Sequence, residues 1–238
     1  MEVRINKFLS EAGVCSRREA DRLVESGVVT IDGQTASMGS KVAAGQSVAV
    51  RGKQVIREEE KVLLAFHKPV GIVCTTTDKQ GKNNVVDYIG YHKRIYPVGR
   101  LDKDSEGLIL MTNDGEMMNR ILRSVNGHEK EYVVRVDKPV TQSFLEKMQS
   151  GIYLKELDRI TKPCKAECLS KFTFRIVLTQ GLNRQIRRMC DSQGFHVQTL
   201  KRVRIMNILL GELKPGQYRA VTQEERSELF AQLGMTGN

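Results

Sequence analysis

GRLDKDSEGLILMTNDG, residues Gly99 to Gly115, is the stretch whose reading decides the fold. Leu108 to Met111 is a continuous apolar run that must lie inside the protein, and Ile95, Tyr96 and Val98 just upstream predict a short apolar strand. Asp102 therefore falls on a loop tied down at both ends. Gly107 can take backbone angles closed to other residues, and Asn113-Asp114-Gly115 is a turn signal that ends the second strand. A loop clamped in this way holds a side chain still, which suits a carboxylate doing nucleophilic or acid/base work. An Arg-x-Asp pair on a loop also serves as a structural ion pair, and the stretch alone leaves both uses open.

The larger region around it begins at Val62. Val62 to Phe66 and Val70 to Cys74 read as strands on either side of Lys68-Pro69, with the proline marking an edge or turn. Thr75 to Asn84 reads as a polar, mobile loop. Glu116 to Arg123 predicts a helix, Tyr132 to Val136 a strand, and Thr141 to Gln149 another helix. Lys162 to Leu169 reads as an extended, partly exposed strand. In Phe172 to Thr179 apolar and polar residues alternate, the signature of a half-buried strand. A helix carrying Arg184, Arg187 and Arg188 follows, then a strand through Val197, Leu200, Val203 and Ile205. Between Arg184 and Arg204 six lysines or arginines face one acid, Asp191, the densest basic region of the chain. Arg184, Arg188, Lys201, Arg202 and Arg204 are accordingly expected to contact phosphates. Tyr218 to Val221 reads as a last strand, and Thr222-Gln223-Glu224-Glu225 as a capping box that starts a helix.

Before this region, Arg4 to Val50 reads as a compact unit. Phe8, Leu9 and Ala12 give one helical face, Ser16-Arg17-Arg18-Glu19 has the form of a capping box, and Val28 to Ile31 is a strand ending in the Asp32-Gly33 turn. Arg51 to Lys61 is polar and reads as a linker. The domain expectation is 1–52, a linker at 53–61, and 62–238. Strands and helices alternate irregularly, with several strand pairs joined by short turns, which predicts an α+β fold around a mixed, mainly antiparallel sheet.

Composition narrows the function classes. The 238 residues carry a formal net charge of +10, which favours a polyanionic partner. Five cysteines, an odd number, argue against a disulfide framework and fit a reducing compartment. The four histidines, His67, His92, His128 and His196, are scattered and form no zinc pattern. There is no apolar signal core at the start, no run as long as a membrane span, and no phosphate loop, so a cytoplasmic protein that hydrolyses no nucleotide is expected.

The GRLD string resembles the catalytic motif of the RsuA-type pseudouridine synthases. The likeness runs from a start similar to an S4 RNA-binding domain, at Arg4, to Arg204-Ile205-Met206-Asn207. Lys103-Asp104-Ser105 and Asn183 to Cys190, NRQIRRMC, look most like the branch that acts on 23S rRNA. The resemblance implies the fold read above, with Asp102 as nucleophile and Tyr132, from the Lys130-Glu131-Tyr132 motif, lying against the target base. It implies that Arg187 pairs with the nucleophile in an apolar setting that includes Leu200, and that Arg100 enters the RNA helix where the flipped base has left. In the S4-like part, Arg4, Lys7, Arg17, Arg18 and Arg22 are the expected RNA contacts.

The activity so implied is isomerisation of a uridine in RNA to pseudouridine, with no cofactor and no metal. A 23S rRNA uridine near the peptidyl transferase region is the first substrate expectation and a tRNA anticodon uridine the second; a monomer is the default. Some relatives in that branch extend into a long basic tail, whereas the sequence here ends at Asn238. Two rival readings are a non-catalytic RNA-binding factor in ribosome assembly and an RNA-modifying enzyme of another reaction type that shares the S4 module.

Overall fold

The computed structural model describes residues 2–56, 60–75, 83–123 and 127–235. They fall into two compact units. The first runs up to Val62 and takes in His92–Arg94 and Asn113–Gly115; the second contains Leu63–Tyr91, Ile95–Thr112 and the chain from Glu116 onward.

The first unit starts with β1 (Val3–Arg4), α1 (Ile5–Glu11) and α2 (Arg17–Glu25). Ser16 caps α2 by accepting from the Glu19 amide at 3.2 Å, but the Glu19 carboxylate pairs with Arg22 at 3.1 Å and does not return to the cap, so the expected capping box is half formed. Ile5, Leu9, Ala20 and Val24 meet Val29, Val42 and Val48 in a small apolar core. Those valines come from β2 (Val29–Ile31), β4 (Lys41–Val42) and β5 (Val48–Val50), with β3 (Gln34–Thr35) and β6 (Lys53–Gln54) as hairpin partners of β2 and β5. Asp32-Gly33 turns β2 into β3 with φ of +49° and +81°. Arg51-Gly52 repeats the device between β5 and β6 with φ of +51° and +74°. Two positive φ values in a two-residue loop match the twist of the flanking strands. The second turn corrects the linker expected from position 53, because Lys53 and Gln54 pair with Val50 and Ala49.

The second unit is built on β7 (Leu63–Lys68), β9 (Glu106–Thr112), β10 (Lys130–Val136), β13 (Lys165–Ser170), β14 (Thr173–Leu178), β15 (Val197–Ile205) and β17 (Tyr218–Ala220), with short β8 (Tyr96–Pro97) and β16 (Ile208–Leu209) added. The sheet order is β13-β14-β10-β15-β9-β7-β17, and every pair is antiparallel except β15 with β9. This is the expected mixed, mainly antiparallel sheet, and the Leu108–Met111 run lies fully buried at its centre. α4 (Gly115–Leu122) and α7 (Gln223–Gln232) supply Met117, Ile121, Leu229 and Phe230 to the core over Leu63, Ala65, Leu108 and Leu110. Thr222 and Glu225 close the expected capping box at the start of α7. α5 (Gln142–Ser150) covers the β14 side through an edge-on contact of Phe144 with Phe174, centroids 5.2 Å apart. α3 (Val85–Ile89), α6 (Gln185–Asp191) and the hairpin β11 (Tyr153–Leu154) with β12 (Arg159–Ile160) complete the unit.

Two local expectations change. Val70 to Cys74 is not a strand: among the described residues its one ladder contact is a bridge from Val73 to Asn84, and its Gly71 amide bonds the Lys103 carbonyl at 2.7 Å instead. The polar loop expected from Thr75 to Asn84 falls, from 76 to 82, outside the described residues. No helix among the described residues is long and apolar enough to cross a membrane.

The parallel pairing of β9 with β15 rests on a close approach. Gly107 opposes Arg202 at a φ of +113°, and a Cβ there would lie 2.3 Å from the Arg202 carbonyl oxygen. Gly107→Ala is therefore expected to destabilise the protein by about 3 kcal/mol or more, from positive-φ strain and overpacking together. Denaturant unfolding of the two proteins measures it.

Candidate active site

Asp102 sits between Leu101, which is buried, and a turn closed by the Ser105 amide donating to the Asp102 carbonyl at 3.1 Å. Three further sets of bonds hold the loop. The Leu101 amide donates to Cys74 Sγ at 3.3 Å, and the Gly71 amide to the Lys103 carbonyl. At the N-cap of α6, with a φ of +49°, Arg184 makes a two-pronged contact with Asp104, both nitrogen–oxygen distances being 3.0 Å. Arg187 donates to the Asp104 carbonyl at 2.9 Å and to Ser105 Oγ at 3.3 Å, and its Nε lies 3.4 Å from Asp104 Oδ2. A fork matched to a carboxylate fixes orientation as well as distance.

The Asp102 carboxylate is left open by all this. Its side chain is 35% exposed, and its one ion-pair contact among the described residues is Arg184 Nη1 at 3.8 Å. Here the structure corrects the expected pairing: Arg187 holds the loop next to Asp102 through Asp104 and Ser105, and Arg184 is the cation that faces the carboxylate. The guanidinium of Arg184 holds the Asp104 carboxyl below the usual range, and Asp104 in turn raises Arg184. Lys68 is fully buried with its Nζ on the Pro69 carbonyl at 2.8 Å. Burial lowers its ammonium, against the pull of Cys74, Asp104 and Asp102.

Asp102, Arg100, Tyr132, Arg184, Arg187 and Leu200 line one cavity of about 300 Å³. β10 presents Tyr132 there, opposite Arg202 of β15 and Ile176 of β14, with its side chain largely buried. Arg100 is exposed at this cavity and at a second one that shares Asp102. The rest of the cavity is a mixture of apolar walls, such as Ile121 and Ile205, and polar groups, among them Lys130 and Gln180. Burial lowers the Lys130 ammonium, and Arg202 lowers it further. A cavity of this size, part apolar and part polar, accommodates a flat heterocyclic ring next to an ionisable carboxylate.

The phosphate contacts expected from the basic region fare unevenly. Arg202 lines the cavity but is buried, its Nε donating to the Leu108 carbonyl at 2.7 Å where the parallel ladder ends. Arg204 is occupied by Glu131 at 2.8 Å, Glu129 at 2.9 Å and the Met206 carbonyl at 2.8 Å. A guanidinium so paired has little left for a phosphate. Arg188 pairs with Glu156 and bonds the Asn183 carbonyl. Lys201 opposes Val133, one position along β10 from Tyr132, and so points to the other face of the sheet. In the first unit Arg4, Arg17, Arg18 and Arg22 are exposed, Arg22 pairing with Glu19, while half-buried Lys7 lies 3.6 Å from Glu11.

Asp104 and Ser105 entered the sequence reading only as part of a branch-like motif, with no role assigned, and Cys74 and Lys68 were not read as site residues. Asp104 lies two residues from Asp102, a spacing that could have flagged it; the contribution of Cys74 needed the tertiary fold. Asp104→Asn tests the clamp. A carboxyl with a folded pKa below its unfolded value contributes stability that is complete above the ordinary range, near pH 4, and is lost as the pH falls through the folded pKa. Melting temperatures measured from pH 7 down to pH 2 are expected to show a smaller acid-induced drop in Asp104→Asn than in the wild type.

Comparison with known proteins places this geometry. The model of the RNA pseudouridylate synthase family matches residues 62–192, and that of the S4 domain matches residues 3–48. The chain is 50% identical over 230 residues to the dual-specificity RNA pseudouridine synthase RluF of Escherichia coli K12, covering 96% of this chain and 78% of that protein. It is 38% identical over 236 residues to the ribosomal large subunit pseudouridine synthase B of Bacillus subtilis 168, covering 96% of each. A crystal structure of a pseudouridylate synthase superposes with a TM-score of 0.70 at 28% identity, over 95% of this chain and 99% of that one.

Proposed function

The chain belongs to the RNA pseudouridylate synthase family and is a pseudouridine synthase, an isomerase that acts on RNA; from that premise we propose that its substrate is a uridine of 23S rRNA near the peptidyl transferase region, with a tRNA anticodon uridine as a second target, and that Asp102 is its nucleophile. The observation that carries the residue assignment is the open Asp102 carboxylate, facing Arg184 at 3.8 Å in a cavity it shares with Tyr132 and Leu200. The similarity to a dual-specificity RNA pseudouridine synthase and to a ribosomal large subunit pseudouridine synthase supports the RNA assignment.

The reaction breaks the C1'–N1 bond, turns the uracil and joins C1' to C5; C5 gives up its proton and the freed N1 takes one up, so the product is an isomer of the substrate. The target base must leave its helix, at a cost of a few kcal/mol in stacking and pairing. Tyr132 returns part of that by lying against the uracil, and Arg100, exposed at the cavity, fills the gap left in the RNA. Leu200 gives the ring an apolar wall. Asp102 acts as a carboxylate by attack at C1', by attack at C6, or by taking a sugar proton, and all three routes need its oxygens unencumbered. Arg187 serves at one remove, by fixing the loop. The S4 part supplies a second grip on RNA, through Arg4, Lys7, Arg17, Arg18 and Arg22, and raises the effective concentration of substrate at the site. The enzyme works as a cytoplasmic monomer.

Pseudouridine mapping of protein-free 23S rRNA and of tRNA exposed to the purified enzyme tests the assignment. The wild type is expected to introduce pseudouridine in 23S rRNA without an added cofactor. Asp102→Asn is expected to bind the same RNA within about threefold and to turn over none of it. Product formed only on another RNA would overturn the substrate, and product formed by Asp102→Asn would overturn the nucleophile.

A further inference from the structure

The β11–β12 hairpin carries features that the catalytic site does not use. Tyr153 and Ile160 stand directly opposite each other and are 55% and 72% exposed. Such a pair is not the product of a loose segment. The base of the hairpin is tied by Thr161 N to the Ile152 carbonyl and by Ile152 N to Thr161 Oγ1, both at 2.9 Å, and Thr161 is buried. Gly151, at a φ of +96°, lets the Thr161 carbonyl approach to where a Cβ would lie only 2.6 Å away. A rigid support thus holds an aromatic ring and a branched aliphatic side chain out in water.

The charges around the pair are mostly positive. Lys155, Arg159 and Lys162 are exposed and make no ion pair among the described residues. Both hairpin acids are already engaged: Asp158 accepts from the Tyr153 hydroxyl at 2.8 Å, and Glu156 pairs with Arg188. That second pair joins the hairpin to α6, the helix whose N-cap Arg184 and whose Arg187 hold the Asp102 loop. An exposed ring beside unengaged cations is the combination that binds single-stranded nucleic acid, because the ring stacks on a base of any sequence while the cations neutralise phosphates.

We propose that the β11–β12 hairpin is a docking surface for unpaired nucleotides flanking the target uridine, with Tyr153 and Ile160 as the stacking platform and Lys155, Arg159 and Lys162 as phosphate contacts. The inference rests on the reading of 23S rRNA as substrate. It goes beyond the catalytic residues, since none of these five side chains lines the cavity that holds Asp102.

The test uses the full chain and protein-free 23S rRNA transcript, with initial rates of pseudouridine formation and melting temperatures for each protein. In the variant combining Tyr153→Ala with Ile160→Ser, KM is expected to rise about tenfold with kcat unchanged, the scale of one lost stacked base. Tyr153→Phe, which keeps the ring, is expected to stay within twofold of wild type. The variant combining Lys155→Gln, Arg159→Gln and Lys162→Gln changes only exposed side chains and reads the surface independently of the apolar pair. Its slope of log KM against log salt is expected to fall by about 2, at about 0.7 per phosphate contact on a single strand. Unchanged KM in both multiple variants would overturn the hairpin's role while leaving the substrate assignment intact. Absence of product from the wild type on 23S rRNA would instead overturn the substrate on which the inference rests. Concentration-dependent dimerisation of the wild type in sedimentation, abolished by the Tyr153/Ile160 variant, would assign the surface to a second copy and also overturn the proposal.

Discussion

The interaction on which the site depends is the grip of two arginines, Arg184 at the N-cap of α6 and Arg187 within it, on residues 104 and 105. Asp102 can be open to a ligand and yet fixed in place because its neighbour, Asp104, takes the strong contacts. Arg184 forks onto the Asp104 carboxylate and Arg187 bonds the Asp104 carbonyl and Ser105. Were these donors on Asp102 itself, its oxygens would be occupied. On the other side of the loop, Cys74 Sγ and the Gly71 amide bond the residues flanking Asp102. The carboxylate is thus positioned through the residues around it, which is how a surface loop can hold a reacting group to within a fraction of an ångström.

The sheet makes that arrangement possible. β9 leads directly out of the Asp102 loop and is held in the centre of the sheet by an apolar run that leaves it no other place. β15 runs parallel to it, and the contact at Gly107 brings the two backbones together just beyond the loop. Since β15 also pairs with β10, the register that seats Leu200 beside Val134 and Arg202 beside Tyr132 fixes the aromatic side of the cavity relative to the carboxylate. A one-residue slip there would turn Tyr132 to the opposite face.

Much of this was legible in the sequence, and the limits have physical causes. The Leu108–Met111 run, the alternation through Phe174 and Ile176, and the Thr222–Glu225 cap are local patterns, and each became the element it predicted. Val70 to Cys74 has strand-like composition, but its Gly71 amide and Cys74 thiol are engaged by the Asp102 loop, which no window of residues could show. Lys53 and Gln54 read as linker because polar residues on a two-residue strand leave no periodic signal, while the Arg51-Gly52 turn that recruits them is visible only as a lone glycine. Charge density between Arg184 and Arg204 suggested a uniform phosphate surface. The structure divides it, because Glu129, Glu131 and Glu156 come from elsewhere in the chain to engage Arg204 and Arg188. Resemblance placed Asp102, Tyr132 and Arg187 in one site, and the cavity does bring them together, though with Arg187 acting on the loop and Arg184 facing the carboxylate.

The most direct test of this account pairs two readouts on Arg187→Ala: the single-turnover rate of pseudouridine formation, and the hydrogen-exchange protection of the Leu101 and Ser105 amides. If Arg187 works by holding the loop, the rate is expected to fall about a hundredfold, with the protection of both amides reduced alongside it. A rate that collapses while both amides keep their wild-type protection would contradict the account, and would make Arg187 a direct participant in the chemistry.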